Sequence, residues 1–269
     1  MDLNTILRYK GCFETPSLWK RDTVYELNQL DLDFEPNFDI TKLTLKNHRL
    51  GKQVEAFINH QLKQQDSIHW ICDNLQIQND KITIGELDAL FYKDNTPIHL
   101  EIVYKFYLYD NSVIDDNPLK KWIGPNRKDA LVYKLDKLRN KQLPLLYNTK
   151  TKLYLDKFNH KATDFEQYVC FKAQLFLPYK IADLKIHPIN INCVNGFYLS
   201  IQKIDIINYF EFYIPNKLDW LFTPHIEVSW LKFKEAKIEI NKYIIEKHSP
   251  LCWLKDNDEK LQKCFITWW

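Results

Sequence analysis

Several features that would place a protein in a familiar class are missing from this chain of 269 residues. No run reaches the roughly 18 apolar residues that a membrane helix needs. The first residues show no basic region followed by an apolar core, so no secretory signal is expected. We therefore expect a cytoplasmic protein that does not bind membranes.

The chain also contains few cysteines, glycines and methionines: 6 Cys, 5 Gly and 1 Met. No two cysteines have CxxC spacing, which argues against a cysteine zinc site, and free thiols are expected in a reducing compartment. The strings GxxxxGK[ST], HExxH and GxSxG are absent, so the sequence gives no sign of a P-loop, a zincin or a hydrolase nucleophile elbow.

An excess of one charge is also lacking, because 37 Lys and Arg face 35 Asp and Glu. Binding of nucleic acid would therefore require a local basic patch. The stretch KWIGPNRKDALVYKLDKLRNK (121–141), with its interleaved aromatics, could track a nucleic-acid backbone, and a solvated helix face is the alternative. The chain is 45% hydrophobic, enough for one large domain or two small ones.

The pattern of apolar residues predicts an α/β chain. Over 49–180 it gives the order helix (49–64), strand (near 68–78), two further strands, a helix starting near Pro125 or Asn126, and a strand (168–180). The second and third strands are ITIGELDALFY and IHLEIVYKFYLY, separated by the turn residues of KDNTP. Residues 1–48 are predicted to be a helical or irregular lead-in. We expect two portions: 1–180 as the core with its lead-in, and a β-rich C-terminal portion, 181–269, packed on it.

Two acidic residues and one lysine of the hairpin are predicted to share one face. If the turn contains an even number of residues, Asp88 lies opposite or diagonal to Glu101, and Lys105 follows on the same side. Like charges across a strand pair repel, and a divalent cation would remove that conflict. A nearby lysine could orient a water or stabilise negative charge on a phosphate. The alternative is a Glu86–Lys105 pair with Asp88 and Glu101 at a solvated sheet end.

Several strings of the chain resemble a known bacterial family. RLGKQVEAF, GELDAL, HLEIVYKFYL, WIGPNRKDALVYKLDKLRNKQL and the final CFITWW occur in the order typical of the family called domain of unknown function 1853 (DUF1853). The resemblance covers about residues 45–269. That family is similar to the PD-(D/E)XK nuclease superfamily, whose members share a restriction-endonuclease-like αβββαβ core, the element order predicted above.

The resemblance implies a role for each matching residue. Asp88 and Glu101 would bind Mg²⁺ or Mn²⁺, together with the Ile102 carbonyl, and Glu55 in the preceding helix would hold a second ion or its water. Gln142 would support the site from the following helix, with a surface or capping glutamine as the alternative.

The lysine departs from the superfamily pattern, which expects it two residues after the glutamate, where this chain has Val103. Lys105 would have to reach back, or Lys134 or Lys137 in the next helix would replace it. The candidate substrate contacts are Trp122, Asn126, Arg127 and Lys134, because GPN forms a turn at an expected helix start, where anions bind well. His99 could touch the site or simply pack.

These residues support two functional hypotheses. The first is a Mg²⁺-dependent nuclease that hydrolyses phosphodiester bonds of DNA or RNA, with Lys105 orienting the attacking water. The second is a protein that keeps the nuclease fold but not its chemistry and binds nucleic acid or protein. The displaced lysine favours the second.

Overall fold

The computed structural model describes residues 2–20, 23–32, 36–45, 49–180 and 187–269. The chain is mixed α/β, with helices and a large mixed sheet. Among these residues, no helix is both long enough and apolar enough to cross a lipid bilayer.

The structure contains five α-helices and eleven strands among the described residues. In chain order they are α1 (Leu3–Glu14), β1 (Thr23–Val24), β2 (Leu27–Asn28), α2 (Leu50–Leu62), β3 (Ile68–Asn79), β4 (Ile82–Lys93), β5 (Thr96–Tyr109), β6 (Trp122–Ile123), α3 (Leu131–Lys137), α4 (Thr149–Leu155), β7 (Glu166–Pro178), β8 (Val194–Ser200), β9 (Glu211–Tyr213), α5 (Phe233–Ile245), β10 (Leu251–Lys255) and β11 (Leu261–Thr267).

The chain divides into two compact units, each assembled from separate segments. The acidic unit, named for the carboxylates described below, comprises Ser17–Tyr104 and Tyr133–Lys172. Its strands follow the order β3-β4-β5-β7, and β4 is antiparallel to both β3 and β5. Buried aliphatic and aromatic side chains form its core, among them Ile77, Leu87, Leu90, Leu145, Leu146, Leu155 and Phe165.

The second unit comprises Met1–Pro16, Lys105–Val132 and Ala173–Trp269. Strands β7, β8 and β11 pair in parallel, and β10 pairs antiparallel with both β11 and β9. Helix α5 contributes Ala236 and Ile240 to a buried cluster with side chains of β8 to β11. Parallel and antiparallel pairs therefore coexist in this part of the sheet.

Helix α2 and the hairpin that follows agree with the sequence. Val54, Phe57, Ile58 and Leu62 of α2 are all buried, which explains the helical spacing of apolar residues there. Strands β4 and β5 meet at a two-residue turn, with Lys93 paired to Thr96. The turn, Asp94–Asn95, has the even number of residues that the predicted shared face requires. The elements of the predicted order helix, three strands, helix, strand are present as α2, β3, β4, β5, α3 and β7, with the short strand β6 inserted before α3 and helix α4 inserted after it.

The predicted start of the next helix near Pro125 or Asn126 is wrong, because α3 begins at Leu131. Residues 124–129 close a loop instead, in which the Gly124 amide donates to the Asp129 carbonyl and Arg127 has a φ of 57°. A left-handed residue interrupts helical geometry, so the proline-containing string is a turn before the helix rather than its first turn.

Candidate metal centre

Asp88 and Glu101 lie close together just beyond the last residue pair of strands β4 and β5. The paired register of β4 and β5 runs from Lys93–Thr96 to Ala89–Leu100, and one more step would place Asp88 opposite Glu101. At that point Asp88 Oδ2 accepts the Ile102 amide N–H at 2.9 Å. The Asp88 carboxylate thus accepts a hydrogen bond from a strand N–H that would otherwise pair with a backbone carbonyl. This bond holds it beside Glu101 in the interior.

Both carboxyl groups are buried, since Asp88 is 6% exposed and Glu101 is 0% exposed. The alternative of two acids at a solvated sheet end is therefore wrong. So is the suggested Glu86–Lys105 pair, because Glu86 bonds to Lys52 and Lys105 bonds to Asp129. Two acids shielded from water in this way are costly unless donors or a cation compensate them.

Glu101 receives a neutral donor on each oxygen. Gln142 Nε2 donates to Glu101 Oε2 at 2.5 Å, and His99 Nε2 lies 3.2 Å from Glu101 Oε1. Gln167 Nε2 donates to His99 Nδ1 at 2.9 Å and to the Leu143 carbonyl at 2.7 Å. An amide NH₂ only donates, so His99 Nδ1 is the acceptor and its Nε2–H points at Glu101. Burial lowers the pKa of His99 to about 4, which keeps the ring neutral.

Gln142 also connects Glu101 to a lysine. It ends a π-helical turn, Leu138–Gln142, that follows α3, and its Oε1 accepts from Lys134 Nζ at 2.6 Å. Turns of this kind place an extra residue in the helix and are frequent at functional sites. The structure therefore brings two of the predicted residues, Gln142 and Lys134, to Glu101 as a chain of hydrogen bonds.

Glu55, Glu86 and Asp88 form a compact group of acids. Each offers a carboxylate oxygen, and these oxygens all lie within 4.8 Å of one another. Glu55 comes from α2, while Glu86 and Asp88 come from alternate positions of β4. We call these three residues together with Glu101 the acidic cluster.

Lys52 compensates part of this charge. Its Nζ bonds to Glu55, to Glu86 Oε1 at 2.6 Å and to Asn74 Oδ1 at 3.3 Å. Burial acts to lower the pKa of Lys52, but its bonds to Glu55 and Glu86 raise that pKa above the ordinary value. The lysine is therefore an ammonium placed among acids.

The cluster holds more negative charge than the protein compensates. Burial raises the pKa of Glu55 above its usual value, and the neighbouring Asp88 charge adds to the rise. Burial also raises the pKa of Asp88, and repulsion from Glu101 adds to that rise. The pKa of Glu101 is raised mainly by burial as well. Without a further cation, the cluster keeps protons near neutral pH.

Four other predicted residues, Lys105, Trp122, Asn126 and Arg127, belong to the second unit and have partners there. Lys105 bonds to Asp129. Trp122 is fully buried with its ring edge-on to Tyr109. Neither side chain reaches the acidic cluster in the contacts of the described residues.

Asn126 and Arg127 are also held by structural contacts. Asn126 Oδ1 accepts the Ser249 amide at 2.8 Å. Arg127 donates to Asp110 at 2.6 Å and lies 4.0 Å from the ring centre of Trp269. These contacts explain both residues without a substrate.

Sequence reasoning did not assign Lys52, Glu86 or Gln167 to the site. A signal for Lys52 was present, because it lies one helical turn before Glu55 and so on the same face of α2. Glu86 was considered only as a possible partner of Lys105. Gln167 acts through His99 from a distant strand, and spacing in the sequence could not have found it.

Comparisons with known proteins identify a family and nothing narrower. The model of the family described as domain of unknown function, DUF1853, matches residues 13–264. No curated protein matches the chain. No solved structure matches it either.

Proposed function

This chain belongs to the DUF1853 family, and from the carboxylates that it buries we propose a divalent-metal-dependent phosphodiesterase that acts on nucleic acid. One observation carries the proposal: acidic oxygens from α2 and β4 lie within 4.8 Å of one another, beside a buried glutamate with a raised pKa. Buried acids whose pKa values are raised to near neutral pH are frequent at functional sites. A bound cation would replace the protons that such acids hold.

The donor set fits Mg²⁺ or Mn²⁺, since both prefer hard oxygen ligands and are often bound by one or two carboxylates. Asp88 and Glu101 would hold the ion with the Ile102 carbonyl, and Glu55 would hold a second ion or its water. Glu86 joins them as a candidate ligand because of its place in the group. Such an ion, when bound, supplies Lewis-acid chemistry at a phosphate oxygen.

The protein's own residues prepare this centre. His99 and Gln142 each donate to one Glu101 oxygen and so fix the orientation of that carboxylate. Lys134 donates to Gln142, and its charge lowers the pKa values of Asp88 and Glu101 against the larger effect of burial. We therefore assign to Lys134 the electrostatic role that the sequence gave to Lys105. Apart from the inserted strand β6 and helix α4, the order α2, β3, β4, β5, α3, β7 is that of the restriction-endonuclease-like αβββαβ core.

A second function has one observation in its favour. Lys105 is engaged by Asp129, so the lysine nearest the expected motif position is not directed at the acids. A protein that keeps the fold and binds nucleic acid or protein without hydrolysis would show this. The two functions differ in whether cleavage accompanies metal binding.

Asp88→Asn and Glu101→Gln test the first function, with labelled single-stranded and duplex DNA and RNA as substrates and Mg²⁺ or Mn²⁺ present. Each substitution removes a ligand charge with little change in volume, and the amide oxygen introduced by Asp88→Asn still offers an acceptor to the Ile102 N–H. We expect cleavage by the wild type and a loss of about a hundredfold or more in each variant. Asp156→Asn, which alters an exposed acid paired with Lys152, is the control and should cleave normally.

Calorimetric titration with Mn²⁺ completes this test. Binding by the wild type and weakened binding by Asp88→Asn are expected. Equal cleavage by all four proteins, or no cleavage by any, would refute the phosphodiesterase. Metal binding without cleavage would favour the second function.

A further inference from the structure

Lys52 occupies the position among the acids that a bound cation would take. Its Nζ bonds to Glu55 and, at 2.6 Å, to Glu86 Oε1, and the Asp88 charge acts on it as well. The carboxylate oxygens of these three acids lie within 4.8 Å of one another. A Mg²⁺ ion held by them would lie about 2.1 Å from each oxygen. Two cations so close together repel strongly, so the ammonium would have to leave before such an ion could bind.

The side chain of Lys52 can move away from the acids on one side. It is 32% exposed, and it lines a cleft of about 620 Å³ beside α2 and β3. Its longest hydrogen bond, to Asn74 Oδ1 at 3.3 Å, joins it to another residue of that cleft. A lysine carries its charge on a flexible stem of four carbons, so the ammonium can turn from the acids into the cleft.

The cleft offers a displaced ammonium no free carboxylate. The acids that line it are Asp73 and Glu86. Asp73 already bonds to Lys63, and Glu86 belongs to the group that the ion would occupy. The ammonium would therefore need a counter-charge from outside the protein. A phosphate that approaches the ion from the cleft would supply one.

We propose that Lys52 exchanges partners when metal binds: its ammonium leaves Glu55 and Glu86 and contacts a charged phosphate oxygen of the substrate. Metal and phosphodiester then bind cooperatively, because the ion frees the lysine and the phosphate gives the lysine a new counter-charge. No covalent bond forms or breaks in this exchange. The inference rests on the proposed function, which it deepens by adding a substrate-binding residue that also controls metal loading.

Calorimetric titration with Mn²⁺, with and without an excess of a short single strand of DNA, measures this coupling. One probe strand has phosphorothioate linkages, which keep the phosphodiester charge and are hydrolysed slowly. The other has the same sequence with uncharged methylphosphonate linkages. The proteins are the wild type, Lys52→Met, Lys52→Gln and Lys152→Met, the last as the matched control because Lys152 is an exposed lysine paired with Asp156.

In the wild type, we expect the charged strand to tighten Mn²⁺ binding about tenfold and the uncharged strand to change it by no more than about twofold. Without a strand, both Lys52 variants should bind Mn²⁺ about threefold more tightly than the wild type, since no ammonium has to be displaced. The charged strand should then tighten their Mn²⁺ binding by about threefold at most, through direct attraction between ion and phosphate. Lys152→Met should behave as the wild type does.

Three results would overturn the inference: equal coupling in the wild type and both Lys52 variants, equal effects of the charged and uncharged strands on the wild type, or weaker Mn²⁺ binding by both variants without a strand. Thermal melting in EDTA checks that the variants are folded. Absence of Mn²⁺ binding by the wild type would overturn the inference together with the proposed function. Coupling that depends on Lys52 without cleavage would leave the exchange standing and reject the phosphodiesterase, and cleavage without such coupling would do the reverse.

Discussion

Lys52 sets the charge balance of the acidic cluster. Its ammonium contacts two of the acids and lies close enough to Asp88 for that charge to raise the Lys52 pKa. An internal ammonium in this position does part of what a bound cation would do, and the proposed metal ion would have to compete with it for the same oxygens. Under the proposed function, Lys52 would stabilise the metal-free protein and weaken metal binding.

Lys52→Met separates these two effects. At about pH 8 in EDTA, we expect the free energy of unfolding to fall by about 1–3 kcal/mol, because Glu55 and Glu86 lose their counter-charge in a partly buried site. Mn²⁺ should then raise the melting temperature of the variant more than that of the wild type. Chemical denaturation and thermal melting with and without Mn²⁺ measure both quantities.

The matched control is Lys152→Met, which removes an exposed lysine paired with Asp156 one turn away on α4. That pair should be worth no more than about 0.5 kcal/mol, and the response to Mn²⁺ should be unchanged. A Mn²⁺ shift in Lys52→Met no larger than in the wild type would show that the ammonium and the metal do not compete.

The β4–β5 hairpin shows how far an element can be predicted. Asp94 and Asn95 have φ values of 49° and 69°, the pattern of a type I′ turn, in which both central residues are left-handed. Asp and Asn tolerate this conformation, so KDNTP between two strand-like segments indicated the turn. The shared face of Asp88 and Glu101 followed from the sequence only if the turn had an even number of residues, and the structure supplies that number.

The rest of the site depends on contacts that local rules do not describe. Gln142 reaches Glu101 through a π-helical turn, and no periodicity in the sequence marks the extra residue of that turn. The late start of α3 follows from the left-handed Arg127, which a proline-based helix signal does not reveal. Burial of the acids depends on packing by residues far along the chain.

Asn95→Gly tests the turn. Glycine occupies the second position of a type I′ turn without a steric cost, so we expect a gain of about 0.5 kcal/mol in the free energy of unfolding. Thr96→Gly, at the first position of β5, should instead cost about 1 kcal/mol, because glycine weakens a strand. Urea denaturation of the three proteins measures both changes, and similar losses in the two variants would contradict the type I′ geometry.

In the whole molecule, distant segments group in ways that contiguous patterns do not show. Strands β5 and β7 each contribute residues to both compact units, and Met1–Pro16 groups with Ala173–Trp269. Hydrophobic spacing identified the long strands β3, β4, β5 and β7 but not the shorter β1, β2, β6 and β10. A strand buried along most of its length, such as β5, has the same hydrophobic pattern whichever partner covers it. The long strands were therefore predictable, while the grouping of the segments was not.

Protons and metal ions should compete in the molecule as a whole. The folded-state pKa values of Glu55 and Asp88 are raised to about 7 and that of Glu101 to about 8, so the folded chain holds protons that the unfolded chain releases above about pH 5. Through these acids, stability is lost as pH rises from about 5 to about 8. The proposed cation would bind the deprotonated acids, so its stabilising effect should grow over the same range.

Two other buried groups act in the opposite sense. His99, with a pKa lowered to about 4, loses its contribution as pH falls below about 6.5, and Lys263, with a pKa lowered to about 7, contributes more as pH rises above 7. The dependence of the melting temperature on pH therefore reflects several titrating groups at once. At each pH, the difference in melting temperature between samples with and without Mn²⁺ removes the contribution of groups that do not contact the ion.

We expect the Mn²⁺-induced rise in melting temperature to be small near pH 6 and to increase up to about pH 8, by about 1–3 kcal/mol in the corresponding free energy, because about one or two protons must leave the cluster. Melting curves in EDTA and in MnCl₂ across this range measure it. Asp88→Asn should show a flat, small shift, since it removes one titrating ligand. A shift that is largest near pH 6, or equal in the two proteins, would mean that the ion binds elsewhere.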